Sequence, residues 1–322
     1  MPTALITGML GQDGSYLAEF LVSLGYKIYG LVRRNPLTVR YAPILSGGVE
    51  FIYGDLRDTM SLKVAIQKAW PDEIYNLGAQ VFVPTSWACP AETFDVNVGG
   101  LARLLEIVEQ EKPSTKIYQA SSSEMFGNVN GVCNEETPFA PISPYGISKL
   151  AAHRLIAGYR LRGMFAVSGI LFNHESPRRG PEMVTQKIVQ ACCAFYRTES
   201  GILKLGNIAA RRDWGYAADY VRAIHAMLQQ PSPKDYVIGS GKSYSVLEFV
   251  HEVRNILRDY KKDPRFLESL EEFISIDESL IRKNDIHILT CDASAARREL
   301  GWEPSASFSQ LVRMMVDAEL NR

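Results

Sequence analysis

Tyr145 and Lys149 stand four apart in Ser143-Pro-Tyr-Gly-Ile-Ser-Lys149, a stretch that reads as a helix start. That spacing puts both side chains on one helix face. A free tyrosine, with a pKa of about 10, is a poor base at neutral pH. An ammonium one turn away favours the phenolate and should lower that value. The pair can then take a hydroxyl proton while a hydride leaves the same carbon. Tyr-x-x-x-Lys also describes many solvated helix faces, so the preceding segment matters. Ile117-Tyr-Gln-Ala120 reads as a strand end and is followed by Ser121, Ser122, Ser123 and Glu124. Three hydroxyls and a carboxylate thus arrive where nucleotide-binding sheets put their chemistry.

Such a pair needs a hydride acceptor, and the start of the chain has the pattern that seats one. Thr3-Ala-Leu-Ile-Thr7 is an apolar run, Gly8-Met-Leu-Gly11-Gln12-Asp13-Gly14 a turn, and Ser15 leads into a helix. The glycines let backbone approach a pyrophosphate at a positive helix N-terminus. A second strand, 27–32, ends in Arg33-Arg34, where an NAD-binding unit carries an acid for the ribose 2′-hydroxyl. Guanidinium forks suit a 2′-phosphate instead, so the expected cofactor is NADP. Strand 49–53 leads to Gly54-Asp55-Leu56, with Asp55 expected towards the adenine. Strand 74–77 runs into Gly78-Ala79-Gln80 beside the cofactor, and a long amphipathic helix opens at Asp95.

This alternation, closed by a buried strand over 166–172, predicts an α/β fold with a doubly wound parallel sheet of the Rossmann type. Beyond it the rhythm loosens. Residues 1–172 are expected to bind the dinucleotide. Residues 173–322 should form mainly a smaller C-terminal α/β lobe, with about 211–238 returning to the first domain. The charged stretch from Arg258 to Glu272 reads as a solvated helix and loop. Arg178-Arg179, Arg211-Arg212 and Arg282 gather in this half and, with Lys187, could clamp a diphosphate.

Composition narrows the classes of partner. The chain has 322 residues, 46% hydrophobic and 22% charged, enough for a large buried core. A net charge of −1 argues against a nucleic-acid surface. Five cysteines lack the paired spacing of a metal site, so no metal is expected; Cys192-Cys193 read as buried small hydrophobes. No apolar run reaches membrane-spanning length, and Met1 leads directly into a strand. The expectation is a cytoplasmic protein with no membrane or nucleic-acid partner.

Taken together, Gly8–Leu17, Tyr75–Gln80, Ser143–Lys149, Gly169–Gly180 and Gly206–Gly215 resemble the extended short-chain dehydrogenase/reductase family and, within it, the GDP-mannose 4,6-dehydratases. The resemblance implies an internal redox dehydration of GDP-mannose to GDP-4-keto-6-deoxymannose, with NADP bound throughout. Tyr145 and Lys149 would handle the 4-hydroxyl proton, Ser122 would hold the 4-oxygen, and Glu124 would take the C5 proton and help the 6-hydroxyl leave. It places the cofactor on Gly8, Gly11, Gln12, Asp13, Gly14, Arg33, Arg34, Asp55, Leu56, Leu77 and Ala79, with Tyr145, Lys149, Asn173, His174 and Arg179. It places the GDP-sugar on Gln80, Ser122, Asn173, Val184, Lys187, Gly206, Arg212, Arg282 and Asp285. A homodimer or homotetramer is implied, with Arg33, Arg34 and the loop Asn35 to Tyr41 as candidate interface.

Four positions depart from the family pattern: Ser122 stands for threonine, Val81 for serine, Gln186 for arginine, and Arg282-Lys-Asn-Asp285 for Arg-Pro-x-Glu. Val81 removes a hydroxyl from the expected sugar site, and Gln186 a charge from the expected diphosphate site. Two alternatives therefore stand beside GDP-mannose dehydration. One is a dehydratase or 4-reductase for a related GDP-hexose or GDP-heptose; the other is an NADP-binding regulator without activity.

Overall fold

The apolar runs of the first half line up as neighbours in one parallel sheet. The computed structural model describes residues 1–33, 48–129, 131–282 and 284–322. Six strands follow chain order: β1 (Thr3–Thr7), β2 (Lys27–Val32), β3 (Val49–Tyr53), β4 (Glu73–Asn76), β5 (Lys116–Ser122) and β6 (Ala166–Leu171). Across the sheet the order is Tyr236–Ile238, β6, β5, β4, β1, β2, β3, every pair parallel. Strand order reverses between β1 and β4, which opens a crevice at their carboxyl ends. Both faces are covered. Met9, Leu17, Leu21, Tyr118 and Ile224 pack on one side, and Ile66, Leu104, Leu105, Ile117 and Ile156 on the other.

Two helices bring the chemistry to that crevice. Helix α1 (Gln12–Ser23) starts at the glycine turn. The Pro144–Leu161 helix begins with proline at its first position, and the Ser143 hydroxyl accepts from the Gly146 N–H at 3.0 Å. Proline pre-sets the first turn and serine satisfies one of its donors, so the helix start that carries Tyr145 is sharply defined. The amphipathic helix expected from Asp95 is α-helical over Gly100–Glu111, after a wider π turn at Asp95–Gly99.

The second half has its own core. Helices Val184–Thr198, Val246–Lys261 and Phe308–Leu320 bury Ile188, Val189, Cys192, Phe249, Val253, Leu311 and Val312 together. Cys193 joins them, as a small hydrophobe would. Ala217–Leu228 packs its buried face on the α1 side of the large sheet, and Tyr236–Ile238 pairs with β6. The stretch from Arg258 to Glu272 is less solvated than its charge suggested. Phe266 and Leu267 are buried, and Phe266 packs edge-on to Phe195 and Tyr196, which pins the loop. Among the described residues no helix is long and apolar enough to cross a membrane.

Candidate active site

The site begins where β4 stops. Its last residue, Asn76, lies opposite Gln119, while β5 continues to Ser122 beside β6 alone. The backbone then tightens into a single 3₁₀ turn, Ser123–Met125, with the Glu124 N–H donating to Ser122 Oγ at 3.2 Å. This turn carries Glu124 into a cavity of about 370 Å³. A Cβ at position 146 would lie 2.7 Å from the Glu124 carbonyl oxygen, so glycine there lets the Tyr145 helix seat against the turn. Ser122, Glu124, Tyr145 and Lys149 all line the one cavity.

Electrostatics differ among the four. Lys149 Nζ donates to the Ala120 carbonyl at 2.8 Å and sits 5.8 Å from the Tyr145 ring centre. Burial pulls its pKa down to about 8, with the Asp13 charge acting the other way. The Tyr145 phenol, expected to be lowered by that ammonium, is instead pushed up to about 12 by burial, against the Ser122 hydrogen bond. Desolvation wins here because the ammonium turns to a backbone carbonyl. Burial also raises Glu124, opposed by the charges of Arg212 and Arg282 and reinforced by Asp285. A carboxyl shifted that way can both accept and return a proton.

The far wall gathers most of the residues expected to hold a phosphorylated ligand. Asn173, Arg179, Val184, Lys187, Gly206, Arg212, Arg282 and Asp285 all line the same cavity. Arg212 is buried, donating to the carbonyls of Ile286 at 2.7 Å and Arg211 at 3.0 Å, with Asp285 Oδ1 at 3.4 Å from its Nη2. Asn207 donates to the other Asp285 oxygen at 3.3 Å. The near wall is apolar: Val81, Phe82, Val83 and Pro84. Trp214, Asn207 and Glu182 also face the cavity and were not among the expected residues. Trp214 follows the Arg-Arg-Asp run, and only the packing of its ring on Phe249 and Phe308 decides which way it points.

Several expected contacts fall elsewhere. Gln80 does not line the cavity; its amide donates to the Phe82 carbonyl at 2.9 Å. Gln186 is buried against the C-terminal helix and donates to Glu319 at 3.1 Å, so it lies away from the diphosphate wall. Arg178 bonds Ser15 at 3.0 Å and Glu19 at 2.6 Å, which ties it to α1. Arg211 donates to the Ser243 carbonyl and pairs with Glu248. In each case a closer partner on a neighbouring element takes the side chain.

The crevice between β1 and β4 fits a dinucleotide. Gly8 has a φ of +67°, and a Cβ on it would lie 2.8 Å from the Gly78 nitrogen, so no larger residue fits this turn. Gly11 precedes α1 without any side-chain cap, which leaves first-turn N–H groups free for a pyrophosphate; Gly14 lies in that turn. The Gln12 side chain bonds the His174 carbonyl at 3.0 Å and the Ser176 hydroxyl at 2.8 Å, leaving its backbone for the cofactor. His174 holds Phe172 O at 2.7 Å and Asp13 Oδ2 at 2.8 Å. Both partners accept hydrogen bonds, which favours the doubly protonated ring. Burial disfavours that charge, but Asp13 outweighs it and raises His174; burial likewise opposes ionisation of Asp13, and His174 holds it below the usual range. Leu77 lines the cavity and Ala79 follows β4. Asp55 and Leu56 follow β3, with the Asp55 carboxylate paired to Arg57 at 2.9 Å. Arg33 directly follows β2 and is exposed; Arg34 and the loop Asn35 to Tyr41 lie outside the described residues.

Comparison with known proteins agrees with this geometry. The family model described as GDP-mannose 4,6 dehydratase matches residues 5–315. GDP-mannose 4,6 dehydratase 1 of Arabidopsis thaliana is 43% identical over 98% of this chain and 89% of its own. The enzyme of that name from Homo sapiens is 41% identical over 98% and 91%, and one from Vibrio cholerae 40% over 99% and 94%. Among solved structures, dTDP-glucose 4,6-dehydratase of Bacillus anthracis in complex with NAD superposes with a TM-score of 0.84 at 24% identity, covering 100% of this chain and 97% of that one. A Pseudomonas aeruginosa protein titled RMD, complexed with NADPH, gives 0.81 at 20% identity, covering 99% and 100%. The last two share the fold; the full-length likeness at 40% identity and above goes further, and by it the chain belongs to the GDP-mannose 4,6-dehydratase family.

Proposed function

We propose that this chain is an NADP-dependent hydro-lyase that converts GDP-mannose to GDP-4-keto-6-deoxymannose. The observation that carries the reading is Glu124. A plain dehydrogenase needs no base beyond the tyrosine, yet a carboxyl with a raised proton affinity lines the same cavity as Tyr145 and Lys149. A bound nicotinamide would supply the acceptor for the C4 hydride and its return at C6. The chain's own groups do the proton work. The Lys149 ammonium and the positive charge of a bound oxidised nicotinamide would oppose the burial that raises Tyr145. Tyr145 then takes the 4-hydroxyl proton while Ser122 bonds the 4-oxygen. Glu124 removes the C5 proton, now acidified by the adjacent ketone, and protonates the departing 6-hydroxyl.

On this reading residues 1–172 carry the cofactor, and 173–322 mainly the GDP group, on Lys187, Arg212, Arg282 and Asp285. We infer a cytoplasmic homodimer or homotetramer. The test is to incubate purified protein with GDP-mannose and no added cofactor and look for a 4-keto product. No product with or without supplied NADP⁺ overturns the reading.

Cofactor choice rests on Arg33 and Arg34. Replacing both with alanine should weaken NADP binding and spare NAD. Each lost contact to the 2′-phosphate should cost on the order of 1.5–3 kcal/mol. Equal losses in the two titrations would remove the assignment.

Sugar recognition rests on the apolar wall. Val81→Ser should raise kcat/KM for GDP-mannose, because a sugar hydroxyl left unpaired against valine costs roughly 1–3 kcal/mol. Gln186→Arg, in contrast, should leave KM within about threefold, under 1 kcal/mol, since Gln186 bonds Glu319 outside the cavity. A related GDP-hexose preferred by tenfold or more over GDP-mannose would favour the alternative substrate.

A further inference from the structure

Side-chain amides rarely meet in the middle of a buried parallel sheet, because apolar β-branched residues fill that space without needing partners. Here two do. Asn76 and Gln119 face each other on the last rung between β4 and β5, and both are buried. Asn76 Nδ2 donates to Gln119 Oε1 at 2.6 Å. On the β1 side, Thr7 Oγ1 accepts from the Gly78 N–H at 2.9 Å and donates to Asn76 Oδ1 at 2.6 Å. On the β5 side, Gln119 Nε2 donates to the Ala120 carbonyl at 3.0 Å, the same oxygen that takes Lys149 Nζ at 2.8 Å.

The direction of every link follows from the ends. Thr7 receives a backbone N–H and must donate onward, so the Asn76 oxygen faces it and the Asn76 nitrogen faces Gln119. The Gln119 nitrogen is then left pointing at Ala120. Because β4 has ended, no strand on that side orients the Ala120 carbonyl. The ladder starts beside the cofactor turn, since Thr7 adjoins Gly8 and Gly78 abuts it. It finishes at the catalytic ammonium.

We propose that Asn76 and Gln119 are positioning residues of the dehydration reaction: their amide ladder ties the seat of the cofactor to the carbonyl that holds Lys149. The inference rests on the function proposed above. It explains why polar side chains occupy a rung where packing alone favours apolar ones. It also explains why the lysine is held by backbone and not by an acidic side chain.

The test uses full-length protein and GDP-mannose. Gln119→Met fills the same volume and removes both bonds. The expected result is a tenfold or larger fall in kcat, with KM for GDP-mannose within threefold and the content of bound cofactor unchanged. Thr7→Val cuts the ladder at its far end and should lower kcat in the same way, while Thr7→Ser keeps the hydroxyl and should restore it. The double variant Gln119→Met with Thr7→Val should fall no further than Gln119→Met alone. Should Gln119→Met not fold, the Thr7→Val and Thr7→Ser pair decides. Activity of Thr7→Val within twofold of the unmodified protein overturns the proposal, as does multiplicative loss in the double variant or a KM that rises in step with the fall in kcat. An unmodified protein that makes no 4-keto product would overturn the proposed function and this inference with it, a failure distinct from loss confined to the variants.

Discussion

A Glu124→Gln enzyme is expected to oxidise GDP-mannose at C4 and stop. Glutamine keeps the shape of the side chain but cannot accept the C5 proton. Loss of one positioned proton-transfer group costs typically about 10²–10⁴-fold, and the loss should fall on elimination while C4 oxidation survives. Reduced nicotinamide should then accumulate on the protein, seen by absorbance on mixing with GDP-mannose. Exchange of the C5 proton with deuterated solvent should vanish. Normal exchange in the variant would show that another group removes that proton. Burial is what makes glutamate suitable here, since it raises the proton affinity of Glu124 even with Arg212 and Arg282 nearby.

Tyr145→Phe and Lys149→Met should slow the earlier step. Each removes a group from the proton transfer at C4, again an effect of about 10²–10⁴-fold, and neither should accumulate reduced nicotinamide. The pH dependence separates the two roles. Lys149 gives up its charge near a pH of about 8, so single-turnover C4 oxidation should decline as pH rises through that value. In Lys149→Met the residual rate should lack that decline. A decline that persists in the variant would assign it to another group.

How far the sequence alone leads depends on whether a residue acts through its place in the chain or through its neighbours. Gly8, Gly11 and Gly14 are legible because backbone geometry at a strand–helix junction depends on local sequence. The four-residue spacing of Tyr145 and Lys149 is legible for the same reason. Their proton affinities are not, because they depend on burial that only the assembled sheet supplies; Tyr145 moved opposite to expectation. Gln186 and Arg178 misled because long polar side chains choose between partners distant in sequence, here Glu319 and Glu19. The amide ladder is invisible in sequence, since Thr7, Asn76 and Gln119 meet only when β1, β4 and β5 are laid side by side.

The burial of Lys149 also sets a proton linkage between catalysis and folding. The folded chain holds this proton more weakly than the unfolded chain, with a pKa of about 8 against an ordinary 10.5. Between those values the unfolded state binds more protons, so this residue's contribution makes the fold more stable as pH rises. Below about 8 both states are protonated and the penalty for burying the ammonium is present in full. Lys149→Met, inert at C4, should therefore melt at a higher temperature than the active protein near neutral pH, with the difference shrinking as pH climbs towards 10.5. On the proposed function, the Lys149 ammonium is a strain on the native state that the reaction requires, and removing it exchanges turnover for stability.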